Sequence, residues 1–87
     1  METQRIYDDL VSLLNEEIEK GTLPSRLKQV SFQPELNLSD LGLDSIALVA
    51  LQTSLMDKTD SFLPDSVFSD NPSLWEIAQR VRDSIET

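Results

Sequence analysis

Cysteine and histidine are both missing from this chain. Without cysteine there is no disulfide framework, and without either residue there is no ordinary zinc site. Neither a Ser–His nor a Cys–His pair is available for nucleophilic catalysis. Glycine occurs only at Gly21 and Gly42, too sparse for a phosphate-cradling loop that opens a nucleotide-binding fold. Bases are scarce as well, seven against sixteen acids, for a net charge of −9. Such a chain repels phosphate backbones, so nucleic acid is not an expected partner, whereas a basic protein surface is compatible with it. No apolar run approaches the ~20 residues of a membrane span. The opening "METQRIYDDL" lacks the basic start and continuous apolar stretch of a signal peptide. A cytoplasmic protein with no membrane partner is expected. Carboxylates alone could still do acid–base work, but nothing in the pattern gathers a pair of them into a pocket. Autonomous catalysis is not expected.

What is present is helix. The 87 residues, 39% of them hydrophobic, suffice for one small domain and one core, taken as residues 1–87. Over residues 3–20, Ile6, Leu10, Leu13, Leu14 and Ile18 fall on one helical face, widened by Tyr7 and Val11. Asp8, Asp9, Glu16, Glu17 and Glu19 fill the rest, and Gly21 is the expected stop. Residues 22–43 read as a long loop, broken by Pro24 and Pro34. Val30, Phe32, Leu36, Leu38, Leu41 and Leu43 make it a packed loop rather than a solvated linker. A second helix starts at 44 or 45 and runs to about 57, with Asp44 as its N-cap and Leu48, Leu51 and Leu55 inward. A short third helix is expected at residues 64–68. A last helix follows, with Asn71 as N-cap, Pro72 as its first residue, and Leu74, Ile77, Ala78, Val81 and Ile85 buried. With no strand signal, the fold class is all-α. It is a four-helix bundle of three longer helices and one short third helix, with a long packed loop between helices 1 and 2.

The densest stretch is "DLGLDSIALVAL", residues 40–51. A loop with one glycine passes directly into an apolar helix, and an acid and a hydroxyl, Asp44 and Ser45, stand at the junction. A bare Asp-Ser-aliphatic triplet is common. Its context is specific: Gly42 lies three residues before the serine between two leucines, and the serine opens the second helix in mid-chain. "LGLDSI" followed by an amphipathic helix resembles the attachment site of acyl and peptidyl carrier proteins. Residues 62–81, "FLPDSVFSDNPSLWEIAQRV", resemble the corresponding stretch of polyketide and peptide synthetase carriers. There a short helix leads to Phe-x-x-x-Pro-x-Leu and then Leu/Ile-Ala. Phe68, Pro72, Leu74, Ile77 and Ala78 stand at those places, so the resemblance covers nearly the whole chain.

The resemblance implies that Ser45 carries 4′-phosphopantetheine, placed there from coenzyme A by a phosphopantetheinyl transferase using Mg²⁺. The arm's thiol then holds cargo as a thioester, and with no cysteine it is the only thiol in the protein. The chain is not an enzyme in this reading. It presents its cargo to an acyltransferase or adenylating loading enzyme and to a ketosynthase or condensation enzyme, as a monomer. Asp44 both caps the helix and meets the transferase. Gly42 supplies a positive φ before the helix. The expected partner-recognition residues are Asp44, Ile46, Val49, Ala50, Thr53 and Asp57. This second helix departs from fatty-acid-type carriers, whose helix is studded with acids. That departure and "VFSDNPSLWEIA" favour a polyketide carrier first, a peptidyl or aminoacyl carrier second and a fatty-acid carrier third. For Ile46 the alternative is a place in the core, and for Trp75 a partly buried packing role is expected. A cofactor-free helical adaptor, with Ser45 only a cap-adjacent residue or a phosphorylation site, is the competing class.

Overall fold

The computed structural model describes residues 2–86. Among them are three α-helices, α1 (Thr3–Lys20), α2 (Ser45–Thr59) and α3 (Leu74–Glu86), and three 3₁₀ turns at Ser25–Gln29, Leu38–Leu41 and Asp65–Phe68. The all-α expectation holds. The described residues contain no strand, only an isolated antiparallel bridge between Asn37 and Ser73. None of the described helices is long and apolar enough to cross a membrane.

α1 buries the expected stripe of Ile6, Leu10, Leu13, Leu14 and Ile18, with Tyr7 beside it. Gly21 ends it in the left-handed region at φ 84°, and the amides of Thr22 and Leu23 both donate to the Glu17 carbonyl. α1 packs on α3, with the Tyr7 and Trp75 rings tilted at 5.8 Å between centroids and Arg82 donating to the Thr3 hydroxyl at 2.6 Å. Trp75 is half-buried against the core, as a packing residue should be. Glu17 corrects the sequence reading. Its side chain is not on the solvated face but only 3% exposed, and it accepts a 2.7 Å hydrogen bond from the Ser54 hydroxyl of α2.

The α1–α2 loop is packed. Leu23, Leu27, Leu38 and Leu41 are in the core, and Val30, Phe32, Leu36 and Leu43 lie half-buried against it. Its backbone also serves α3. The Leu74 and Trp75 amides, which a helix start leaves without internal partners, donate to the Leu36 and Pro34 carbonyls at 2.9 and 3.0 Å.

The expected start of α3 is corrected. Ser73 is the cap: its hydroxyl accepts from the Glu76 amide at 3.1 Å and its carbonyl from the Ile77 amide at 2.9 Å. Asn71 stands outside the helix at φ 52°, and its side chain accepts from the Ser39 amide. The expected short third helix is a single 3₁₀ turn. Pro64 before it and Ser69 after it are both extended, so it has only four residues. Arg80 donates to the carbonyls of Ser66, Val67 and Ser69, tying this turn to α3.

Candidate functional site

α2 begins where the sequence places it. Asp44 has extended backbone, φ −78° and ψ 175°, and its carboxylate accepts the Ala47 amide at 2.8 Å. This satisfies one of the helix's free donors and sets a negative charge at the positive end of its dipole. Gly42, three residues before Ser45, closes the second 3₁₀ turn in the left-handed region at φ 63°. A Cβ there would stand 2.6 Å from Nη2 of Arg26. Arg26 donates through that nitrogen to the Leu41 carbonyl at 2.8 Å and the Gly42 carbonyl at 3.1 Å. The same turn is closed at its start by Asp40, which accepts the Asn37 amide.

Ser45 is the first residue of α2 and is exposed. No hydrogen bond to its hydroxyl occurs among the described residues. On one side it borders a surface groove of about 240 Å³ lined by Leu48, Val49 and Gln52 of α2 and Asp65, Phe68 and Ser69 of the third turn. Gln52 fixes the far wall of this groove, its amide nitrogen donating to the Leu63 carbonyl and the Asp65 carboxylate, each at 3.0 Å.

The residues expected to meet partners fall on one side of α2. Ile46 is 81% and Val49 59% exposed, and Thr53 and Asp57 are exposed as well. This removes the core alternative for Ile46. Ala50 is half-buried and marks the edge of that face. The inward stripe is Ala47, Leu51 and Leu55, each four residues apart, with Leu48 half-buried at its margin rather than central.

Four residues near the site escaped the sequence reading: Arg26, Gln52, Arg80 and the 81% exposed Phe62. The first three act on backbone carbonyls 11 to 16 residues away in the chain. A carbonyl carries no side-chain identity, so no local pattern announces them. Phe62 sits beside the fully buried Leu63, and a lone apolar pair in a loop has no periodicity to tell which member turns outward.

At Glu17 the Ser54 hydroxyl holds the carboxyl below the usual carboxylate range. Burial opposes that effect, while the Thr22 side chain and the Lys20 charge assist it. This group lies on the α1 side of α2 and supports the helix rather than the serine.

The family model described as "Phosphopantetheine attachment site" matches residues 20–81, well over half of the chain and including the whole Gly42–Ser45 junction and α2. No match is found among curated proteins or among solved structures. Members of the matched family bear a covalently attached 4′-phosphopantetheine group. Its carrier domains are generally not catalysts themselves and work with phosphopantetheinyl transferases and synthase enzymes. By this match the chain belongs to the phosphopantetheine attachment-site family, as a helical carrier domain that holds a phosphopantetheine arm.

Proposed function

We propose that Ser45 is the attachment residue and that the chain is an acyl carrier of polyketide biosynthesis. The observation that carries the assignment is the free hydroxyl. It is exposed and has no hydrogen-bond partner among the described residues, and it directly follows a helix cap inside the matched segment. The surroundings suit the group. No hydrogen-bond partner of the Ser45 or Ile46 amide occurs among the described residues, and such amides at a helix start favour a phosphate oxygen. The groove beside Ser45 offers Leu48, Val49 and Phe68 as apolar contacts for what extends from it.

Among the described residues no base is hydrogen-bonded to Ser45, and in this reading activation belongs to the transferase. The Ser45 oxygen forms a bond to the pantetheine-bearing phosphorus of coenzyme A. The bond from that phosphorus to the adenosine bisphosphate leaving group breaks, and the hydroxyl proton passes to a base of the transferase. Once attached, the arm supplies a thiol that holds an acyl group as a thioester. The chain's own residues present it. Asp44 and Gly42 fix the start of α2, and Ile46, Val49 and Thr53, with Ala50 and Asp57 at the margins, offer a mostly uncharged face to partners. An acyltransferase and a ketosynthase are the partners of this reading.

α1 lies mostly outside the matched segment, yet it contributes Ile6, Leu10, Leu13 and Leu14 to the same core as α3. This supports one domain over the whole chain. The polyketide assignment rests on the neutral face of α2 and on Phe68, Pro72, Leu74, Ile77 and Ala78. The same five residues suit a peptidyl carrier, for which the loading partner is an adenylating enzyme and the next a condensation enzyme.

Incubation with a broad-specificity phosphopantetheinyl transferase, coenzyme A and Mg²⁺ tests the assignment. The intact mass should rise by one phosphopantetheinyl group in the wild type and stay unchanged in Ser45→Ala. Loading of the modified protein from malonyl-coenzyme A by an acyltransferase, against loading from an amino acid and ATP by an adenylating enzyme, separates the two pathways.

A further inference from the structure

We infer that Arg26 is a positioning residue for the modification of Ser45, because its guanidinium clasps the turn that presents the serine. The inference rests on the assignment of Ser45 made above. Nη2 of Arg26 donates to the Leu41 and Gly42 carbonyls at 2.8 and 3.1 Å. These are the last carbonyls of the second 3₁₀ turn and its left-handed close, and among the described residues neither has another hydrogen-bond partner. Only Leu43 and Asp44 separate this peptide from Ser45.

The two ends of the clasp are themselves anchored. Arg26 sits on the turn Ser25–Gln29, pinned by the fully buried Leu27, and Leu41 is fully buried on the other side. The contact therefore joins two parts of the long loop that are 15 and 16 residues apart. Lys20, Lys58, Arg80 and Arg82 each stand within 4.0 Å of a carboxylate. Arg26 has no carboxylate partner among the described residues, and both of its bonds go to backbone.

Without the clasp, the Leu41 and Gly42 carbonyls lose their partner, the turn is held at this end, among the described residues, only by the Gly42 amide's 3.1 Å bond to the Ser39 carbonyl, and the Asp44 cap and Ser45 visit several arrangements. A transferase that reads one arrangement then binds only a fraction of the carrier. Apparent affinity falls by that fraction, while the reaction once bound is unchanged. The signature is a raised KM for the carrier with kcat preserved.

The test uses the purified full chain with a phosphopantetheinyl transferase, coenzyme A and Mg²⁺. Initial rates are measured over a range of carrier concentration for wild type, Arg26→Ala, Arg26→Lys and Arg82→Ala. Arg82→Ala removes the bond to Thr3 between α1 and α3, a loss of similar kind away from the serine. Amide hydrogen exchange of the unmodified proteins is measured alongside. Arg26→Ala should raise KM by about fivefold or more with kcat little changed. It should also speed exchange at Ala47 and Leu48, whose amides bond to Asp44, while leaving Leu10 and Leu14 of α1 protected. Arg26→Lys should recover most of the affinity, and Arg82→Ala should keep the wild-type KM. Unchanged KM and unchanged exchange at Ala47 and Leu48 in Arg26→Ala overturn the inference. So does an equal rise of KM in Arg82→Ala, which marks general destabilisation. A wild type that gains no mass sinks the Ser45 assignment instead, and the exchange comparison then still decides whether the clasp exists.

Discussion

The Ser54 hydroxyl donates a 2.7 Å hydrogen bond to the carboxylate of Glu17, tying the middle of α2 to the last turn of α1. Glu17 is 3% exposed, so this is a buried charge kept by one strong partner, helped by Thr22 and by Lys20 at 4.0 Å. Ser54→Ala leaves that carboxylate short of a donor, and a hydrogen bond to a charged group is worth about 2 kcal/mol. Urea unfolding at pH 7 should show a loss of that order.

The same pair makes a pH prediction. The folded Glu17 carboxyl titrates below its ordinary value of 4.5. Its contribution is fully present above that ordinary value and is lost as pH falls through the depressed one, where the folded state also takes up the proton. The stability gap between wild type and Ser54→Ala should therefore be constant from pH 7 to 5 and shrink under more acid conditions. A gap that widens on acidification contradicts the assignment of the bond.

Gly42 and Gly21 both lie in the left-handed region, but their surroundings differ. A Cβ at 21 meets nothing within 4 Å, whereas one at 42 meets Arg26 at 2.6 Å. Alanine at either position carries a conformational penalty of about 1–2 kcal/mol. Gly42→Ala also displaces the guanidinium, so it should lower the melting temperature more than Gly21→Ala. It should also slow phosphopantetheinyl transfer, which Gly21→Ala should not. Equal effects of the two on both measurements would remove the special role of Gly42.

Asp44 caps α2, and its proposed contact with the transferase is separable from the cap by substitution. Asp44→Ala removes the cap on the Ala47 amide and should cost about 1 kcal/mol, read as a fall of roughly 4–8 °C in melting temperature. Asparagine caps about as well as aspartate, so Asp44→Asn should melt close to wild type. If the transferase reads the charge, Asp44→Asn is modified more slowly despite its stability. Modification at the wild-type rate would reduce Asp44 to a cap.

The sequence made α1 and the apolar face of α3 legible because each rests on a local period, whereas α2 is apolar on several sides and its inward stripe was legible only in part, with Ala47 in the place expected of Leu48. Ile6 to Ile18 and Leu74 to Val81 needed nothing beyond spacing. Asp44 and Gly42 were legible because a cap and a left-handed turn each demand a narrow choice of residue. The start of α3 was not. Asn71 was the expected cap, and the loop moves the start to Ser73: Ser39 claims the Asn71 side chain, and Pro34 and Leu36 supply carbonyls to the new helix. Glu17 looked solvated because three acids lie within four residues, and Ser54, 37 residues away, is the partner that does most to make its burial tolerable. The short third helix is a four-residue turn between the extended Pro64 and Ser69, and its carbonyls are bridged to α3 by Arg80, a long-range contact that no local pattern announces.

The apolar face of α2 should be dispensable for folding. Ile46 and Val49 are 81% and 59% exposed, and surface substitutions of this kind shift stability by about 0.5 kcal/mol or less. The double variant Ile46→Ala, Val49→Ala should melt like the wild type yet show a higher KM in the transferase assay. A large loss of stability would place these residues in the core of the working protein instead.

The central claim is that Ser45 receives the arm, and peptide mapping of the modified protein tests it most directly. Cleavage after Lys28 and Lys58 releases a peptide of residues 29–58, which holds Ser31, Ser39, Ser45 and Ser54. After reaction with coenzyme A and a transferase, fragmentation of this peptide should place the added phosphopantetheinyl mass on Ser45 alone. Mass on another of the four serines, or on a different peptide, would contradict the assignment.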